Sequence, residues 1–179
     1  MTDHTGHNHV HGEDCTHTSE QDFSLQNIYI RDLSFEVLNN PGIFRYDWDP
    51  KVEFDMQVDT NKHDDSHYEV TLHTTVTVRL NIKNAKQEPT TIVAFLSEVK
   101  QSGIFAIIGF SQADLEHILH VVAPEVIFPY ARETVSNLVL KGGFPQLLLP
   151  PMNFQAIYEQ SKQVANPEKV AANSVDIDI

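Results

Sequence analysis

Between Tyr68 and Ile82 the chain alternates without a break: Tyr68, Val70, Leu72, Thr74, Val76, Val78, Leu80 and Ile82 are separated by Glu69, Thr71, His73, Thr75, Thr77, Arg79 and Asn81. A helix, with its period of about 3.6, would scatter such a set around its circumference, whereas a strand gathers it on one face. The stretch therefore predicts a long strand with one dry face and one wet face. Such a strand needs partner strands at its edges and an apolar layer over its dry side. His73 falls on the polar side and reads as a solvated histidine rather than a ligand.

Neighbouring segments supply the partners. From Pro50, Val52, Phe54, Met56 and Val58 alternate with Glu53, Asp55, Gln57 and Asp59, a half-buried strand followed by a turn at Asn61–Ser66. From Phe23 to Val37 the apolar positions change phase: Phe23, Leu25 and Tyr29 share parity with Leu33, Phe35 and Val37, while Ile28 and Ile30 do not. That predicts a strand covered on both sides near its middle or bent by a bulge. Asp32, Ser34 and Glu36 then point to the face opposite Leu33, Phe35 and Val37. Asn39-Asn40-Pro41-Gly42 breaks the strand, and Ile43–Trp48 is an aromatic connector. After a loop at Asn84–Pro89, Thr91–Val99 is a fourth strand, with Val93, Phe95 and Val99 on one side and Ile92, Ala94, Leu96 and Glu98 on the other. Gly103–Phe110 (GIFAIIGF) reads as a buried strand or a turn-like connector; it lacks the GxxxxGK[ST] pattern of a phosphate loop. Four strands with short polar connections predict an antiparallel meander or Greek key.

The C-terminal part changes to helical periodicity. Ser111, with Asp114 three residues on, can cap a helix whose stripe is Leu115, Ile118, Leu119 and Val122, and Pro124 starts a second piece. Ile127, Phe128, Ala131, Val135, Leu138 and Val139 form one apolar stripe, which Lys141 and Gly142-Gly143 end. Pro129 is awkward in a helix interior, so the long helix is expected to begin near it or bend there. Phe144–Pro151 (FPQLLLPP) is apolar yet braced by three prolines, so it must lie extended over an apolar surface or offer one to a partner. Asn153 can cap a last helix bearing Phe154, Ile157 and Tyr158. The predicted fold is α+β: a four-stranded antiparallel sheet, a long amphipathic helix, a proline-rich connector and a C-terminal helix.

With 179 residues, the chain suits one domain, placed at residues 23–165. Residues 1–22 read as a disordered His-rich arm (His4, His7, His9, His11, His17, with Asp14 and Cys15), in which adventitious metal binding is expected rather than a built site. Residues 166–179 read as a flexible tail. The lone Cys15 fits a reducing compartment, and no signal peptide or membrane span is evident, so a cytoplasmic location is expected. A formal net charge of −13 argues against nucleic acid and favours a basic partner. His117 and His120 share a predicted helix with Glu116 and Asp114 but lack an HExxH motif, and a solvated helix face accounts for them. No convergent nucleophile, base and stabiliser is found, so no enzyme, metal or cofactor is expected.

Several phrases together resemble the SecB family of bacterial export chaperones: IYIRDLSFE at Ile28–Glu36, the turn Asp47-Trp48-Asp49-Pro50, AFLSEV at Ala94–Val99, GIFAIIGF, IFPYARE at Ile127–Glu133, and FPQL followed by PxNF. They occur in the family's order from about Phe23 to Tyr158. The resemblance implies a homotetramer, a dimer of dimers, that holds unfolded precursor polypeptides in apolar grooves without ATP and delivers them to the translocation motor SecA. It matches Asp32, Glu36, Leu96 and Glu98 to the family's SecA-docking positions, and the strand parities agree by placing all four opposite the core-type side chains. Trp48, Val52, Phe54, Met56, Phe144, Leu147, Leu149, Met152 and Ile157 are the expected client-binding residues; methionines and the leucine run can adapt to many shapes. The family often has cysteine where Ser97 stands, which removes a small apolar packing group. Two other readings remain at this level: a SecB-like chaperone dedicated to one partner such as an antitoxin, and a small-molecule or metal-binding protein using an apolar cavity or the histidine arm.

Overall fold

The computed structural model describes residues 21–83, 86–164 and 175–177. Four long strands, β1 (Asp22–Val37), β2 (Pro50–Lys62), β3 (His67–Lys83) and β4 (Pro89–Ile108), form the antiparallel sheet. β2, β3 and β4 make a meander and β1 returns beside β4, giving the Greek-key order β1-β4-β3-β2. β3 is central, as its alternation requires: Val70, Leu72, Thr74, Val76, Val78 and Leu80 are all buried on its helix side. The hairpin between β2 and β3 is held by Asp64, whose Oδ1 accepts the amides of Ser66 and His67 while its carboxylate pairs with the His67 ring. These bonds favour the ionised acid and hold its pKa well below the usual carboxylate range.

The phase change in β1 is a real irregularity, with the register against β4 shifting between Leu25 and Asn27 and again between Ile30 and Asp32. Beyond the second shift, Leu33, Phe35 and Val37 lie opposite Val99, Ser97 and Phe95 on the helix side of the sheet. β4 differs from expectation in two ways. Gly103–Ile108 of GIFAIIGF do form a largely buried strand, one of the two alternatives expected, but as the last six residues of the 20-residue β4 and not as a separate element, with Gly109 and Phe110 beyond its end. A register shift opposite Val78/Arg79 also reverses the parity: Phe95 and Val99 face the helices as expected, but Val93 pairs with Arg79 on the outer side and Ile92 with Leu80 on the inner side. One extra residue flips every side chain beyond it, and strict alternation cannot anticipate that.

The covering layer is a nearly continuous helical run. α1 (Gln112–His117) starts at Ser111, whose hydroxyl accepts the Asp114 amide at 3.2 Å. It passes through one π-helical stretch, Ile118–Val122, into α2 (Ala123–Lys141). The wide turn sits immediately before Pro124, which has no amide to continue the ladder; the Ala123 amide reaches back to the Ile118 carbonyl. Pro129 lies inside α2 and not at its start. It and Glu125, whose carbonyl loses its amide partner, both line an open groove where solvent can satisfy that oxygen. The end of α2 follows the sequence: Gly143 takes φ +86°, the Gly143 amide bonds the Leu140 carbonyl, and the Phe144 amide bonds Val139.

α2 crosses β3 and β4, with Ile127, Ala131, Val135 and Val139 fully buried against them. Gly103 on β4 permits the approach, since a Cβ there would stand 3.2 Å from Ile127 Cγ1 and 2.8 Å from the Phe105 ring. α3 (Phe154–Val164) is capped by Asn153, which accepts the Ala156 amide at 3.0 Å, and it packs on the π-helical stretch. A fifth, three-residue strand, β5 (Val175–Ile177), pairs antiparallel with the outer edge of β2. These three are the part of the expected tail that the structure describes. The His-rich arm, apart from Gln21 and Asp22, lies outside the described residues.

Candidate functional sites on the two faces

Opposite the helices, the outer face of the sheet gathers the acidic residues singled out from the sequence. Register places Asp32 beside Lys100, Ser34 beside Glu98 and Glu36 beside Leu96. Asp32, Glu36 and Glu98 are exposed and Leu96 is half-buried, so three carboxylates share this face with one apolar side chain, Glu36 and Glu98 being its nearer neighbours. Lys100 Nζ stands 3.4 Å from Asp32 Oδ2, and the Ser34 hydroxyl donates to Glu98 Oε2 at 3.4 Å. Together with His73 these groups line a shallow cleft. The face is therefore mainly acidic and only partly neutralised from within, with Glu36 and Leu96 toward one end. Ser97, between the two docking-type residues, points the other way into the core, where its hydroxyl is buried without a hydrogen-bond partner.

Further along the same face a second polar group is closed off rather than open. The Glu69 carboxylate is buried, accepting from the Tyr29 hydroxyl and from Arg31 Nη1 at 3.3 Å across the intervening strand β4, and the Glu69 bond raises the Tyr29 pKa. Thr71 and Ser102 share a 2.7 Å hydrogen bond beside it. All its groups are satisfied, which marks a clamp between β1 and β3.

The apolar candidate site centres on Phe144. Its ring lies 4.9 Å from Phe95, 5.2 Å from Phe44 and 5.3 Å from Trp48. Phe144 and Phe95 are buried, but Phe44, Tyr46 and Trp48 are exposed. Two rings of the aromatic connector, Phe44 and Trp48, thus rest on Phe144 while staying largely exposed, as Tyr46 does. Phe44 and Tyr46 had no place in the sequence-based set; the signal was an aromatic every second residue at Phe44, Tyr46 and Trp48. The proline-braced segment alternates as an extended chain should, with Leu147 and Leu149 buried and Leu148 exposed. Between it and α2 lies a groove of about 570 Å3 lined by Phe128, Arg132, Leu148, Pro151, Met152 and Phe154, among others.

Of the nine expected client-binding residues, Val52, Phe54, Phe144, Leu147 and Leu149 are buried in the core of the single chain. Met56, Met152 and Ile157 are partly buried against it, and Trp48 is exposed. Apolarity alone marks a residue for burial or for binding without distinguishing the two. The histidine pair also differs from expectation: His117 is exposed, but His120 is half-buried, its ring stacked 5.1 Å from Tyr158. Burial depresses the His120 pKa, nearby Lys162 acting in the same direction and Glu116 against it. Among the described residues, no group of three or more His, Cys, Asp and Glu side chains could hold a metal ion, and no helix is long and apolar enough to cross a membrane.

Residues 16–165 match the family described as Preprotein translocase subunit SecB. Relatives called Protein-export protein SecB include one from Legionella pneumophila (strain Corby), 45% identical over 141 residues, covering 79% of this chain and 82% of the relative. Another, from Methylococcus capsulatus, is 42% identical over 149 residues, covering 83% and 90%. Among solved structures, a SecB-like chaperone of Mycobacterium tuberculosis, determined with a ChAD peptide from an antitoxin, shares the fold with a TM-score of 0.55 at 12% identity, covering 73% of this chain and 91% of that one. The family match runs over most of the sequence and the relatives are more than 40% identical over most of their own length, and the chain belongs to the SecB family.

Proposed function

We propose that this protein is an ATP-independent holding chaperone for protein export, which binds unfolded precursor polypeptides on its helix-side apolar surface and passes them to SecA docked on its outer face. The observation that carries the reading is the separation of two surfaces by one sheet. Exposed aromatics anchored on Phe144, with the groove beside Leu148, suit an extended apolar chain. Asp32, Glu36 and Glu98, on one face with Leu96, suit a basic partner with an apolar contact. A client and a motor can then be held together without competing. Trp48, Phe44, Tyr46, Leu148, Met152 and Met56 are the client contacts this reading favours, with the five buried residues shaping the floor beneath them.

The chain works as a homotetramer in this reading, a dimer of dimers in the cytoplasm. Leu25, Ile30 and Leu33 on edge strand β1, with Tyr130 and Leu140 on α2, are large apolar side chains left exposed in the single chain, and association would cover them. The reaction is binding alone, with no catalysis. The test is whether stoichiometric protein delays the refolding of a slowly folding precursor and releases it on addition of SecA and ATP. A refolding rate unchanged at tetramer excess overturns the proposal.

A further inference from the structure

We propose that His73 makes docking on the outer face depend on pH: neutral, it leaves the face acidic for a basic partner, and protonated, it places a cation beneath that partner and weakens its hold. The inference rests on the reading of that face as the SecA-docking surface. His73 lies on the outer row of β3, opposite Gln57 on β2 and Lys100 on β4. The next outer positions on β2 are Asp55 and Asp59, which pair with Thr75 and Thr71. On β4 the same two threonines pair with Glu98 and Ser102. One strand further out, Asp32 lies beside Lys100 and Ser34 beside Glu98. These neighbours bring His73 into one cleft of about 240 Å3 with Asp32, Ser34, Glu98 and Lys100, two of which are expected docking residues.

The fold makes no use of the ring. His73 is half-buried, and among the described residues its imidazole forms no hydrogen bond and no ion pair. Its neighbours are engaged elsewhere, Lys100 with Asp32 at 3.4 Å and Ser34 with Glu98 at 3.4 Å. The other histidines of the sheet, His63 and His67, stand at the β2–β3 hairpin beside Glu69 and Asp64. Around His73, the four carboxylates of Asp32, Asp55, Asp59 and Glu98 face the one ammonium of Lys100, a formal charge of −3 that protonation of the imidazole reduces to −2. Carboxylate and ammonium groups ordinarily keep their charge between pH 6 and 8, whereas an imidazole changes its own there. A third of the local charge is therefore under the control of pH.

The effect is reciprocal. If protonation weakens docking, docking expels the proton, and the two couplings are equal by linkage. Docking is then tightest above neutrality and loosens as pH falls. The helix side of the sheet, where clients are held, does not share in the change.

The test compares wild type with two full-length variants: His73→Gln, which stays polar but cannot titrate, and His73→Lys, which fixes the positive charge. Labelled SecA is titrated into each at pH 8.0 and pH 6.0 at constant ionic strength; every other histidine is common to the three proteins. On going to pH 6.0, wild type should lose about 1.5- to 5-fold more affinity than His73→Gln, the span of one exposed ion pair. His73→Lys should already bind more weakly than wild type, by a factor in the same range, at pH 8.0. Calorimetry at pH 6.5 in two buffers of different ionisation heat should show more protons released on docking by wild type than by His73→Gln. Equal pH dependence or equal proton release in wild type and His73→Gln, or wild-type affinity in His73→Lys at pH 8.0, overturns the inference while leaving the docking reading intact. Precursor refolding should be delayed equally by wild type and His73→Gln, and a delay lost in His73→Gln assigns the residue to the fold and overturns the inference too. No binding of SecA by wild type at pH 8.0 overturns both.

Discussion

Leu147, Leu148 and Leu149 are chemically identical neighbours with opposite fates, so truncating them separately distinguishes core from client surface. Leu149 is 1% exposed and Leu148 is 53% exposed. Leu149→Ala removes fully buried methyl groups beneath a segment whose prolines limit its collapse, and the cost is expected near the middle of the usual range, about 3 kcal/mol. For a chain of this size about 1 kcal/mol lowers the melting temperature by about 2–4 °C, so Leu149→Ala should melt about 6–12 °C below wild type. Leu148→Ser lies outside the core and should change stability by less than about 0.5 kcal/mol. In binding the order reverses: Leu148→Ser should weaken association with an unfolded polypeptide, and Leu149→Ala should retain it below its own melting temperature. Melts followed by circular dichroism, at one fixed protomer concentration because assembly contributes to stability, read the first quantity. Fluorescence titration reads the second. A Leu149→Ala melt within about 2 °C of wild type, or a Leu148→Ser melt that falls further than it, refutes the inside-outside assignment of this segment.

Glu98→Lys should weaken association with SecA severalfold or abolish it, with the melt unchanged, and wild-type binding should itself weaken as salt rises through about 0.1 M; titration of labelled SecA at two salt concentrations checks both. Ser97→Cys should raise stability by about 1 kcal/mol, read from the urea midpoint, because the buried hydroxyl has no partner and a thiol behaves there as a small apolar group. Light scattering at micromolar concentration should give four times the 20.3 kDa chain mass, and a monomer contradicts the proposed assembly. Burial lowers the His120 pKa from its ordinary 6.5, so as pH falls below 6.5 the unfolded chain takes up the proton first and stability present above that pH is lost. His120→Phe, which keeps the stack on Tyr158, should flatten the fall in urea midpoint between pH 7.5 and 5.5; an unchanged slope excludes His120 as its source.

Periodicity and backbone chemistry made much of the architecture legible from the residues. The alternation of Tyr68–Ile82 required a central half-buried strand, the phase change in Phe23–Val37 announced an irregular β1, and Ser111, Asn153 and Gly143 cap the helices as their side chains or lack of one dictate. The common facing of Asp32, Glu36, Leu96 and Glu98 was readable because each lies in a stretch of strand without a bulge between it and its neighbours in the set. These are local properties, fixed by bond geometry within a few residues. Other features depended on contacts made at long range. The shift opposite Val78/Arg79 reversed Ile92 and Val93, Pro129 was absorbed within α2 because an open groove meets it, and His120 left solvent because Tyr158, 38 residues later, stacks on it. Which apolar side chains became floor and which became surface was likewise settled only by packing. Leu147 and Leu148 have the same hydrophobicity, and only the direction of an extended backbone over α2 and the sheet buries one and exposes the other.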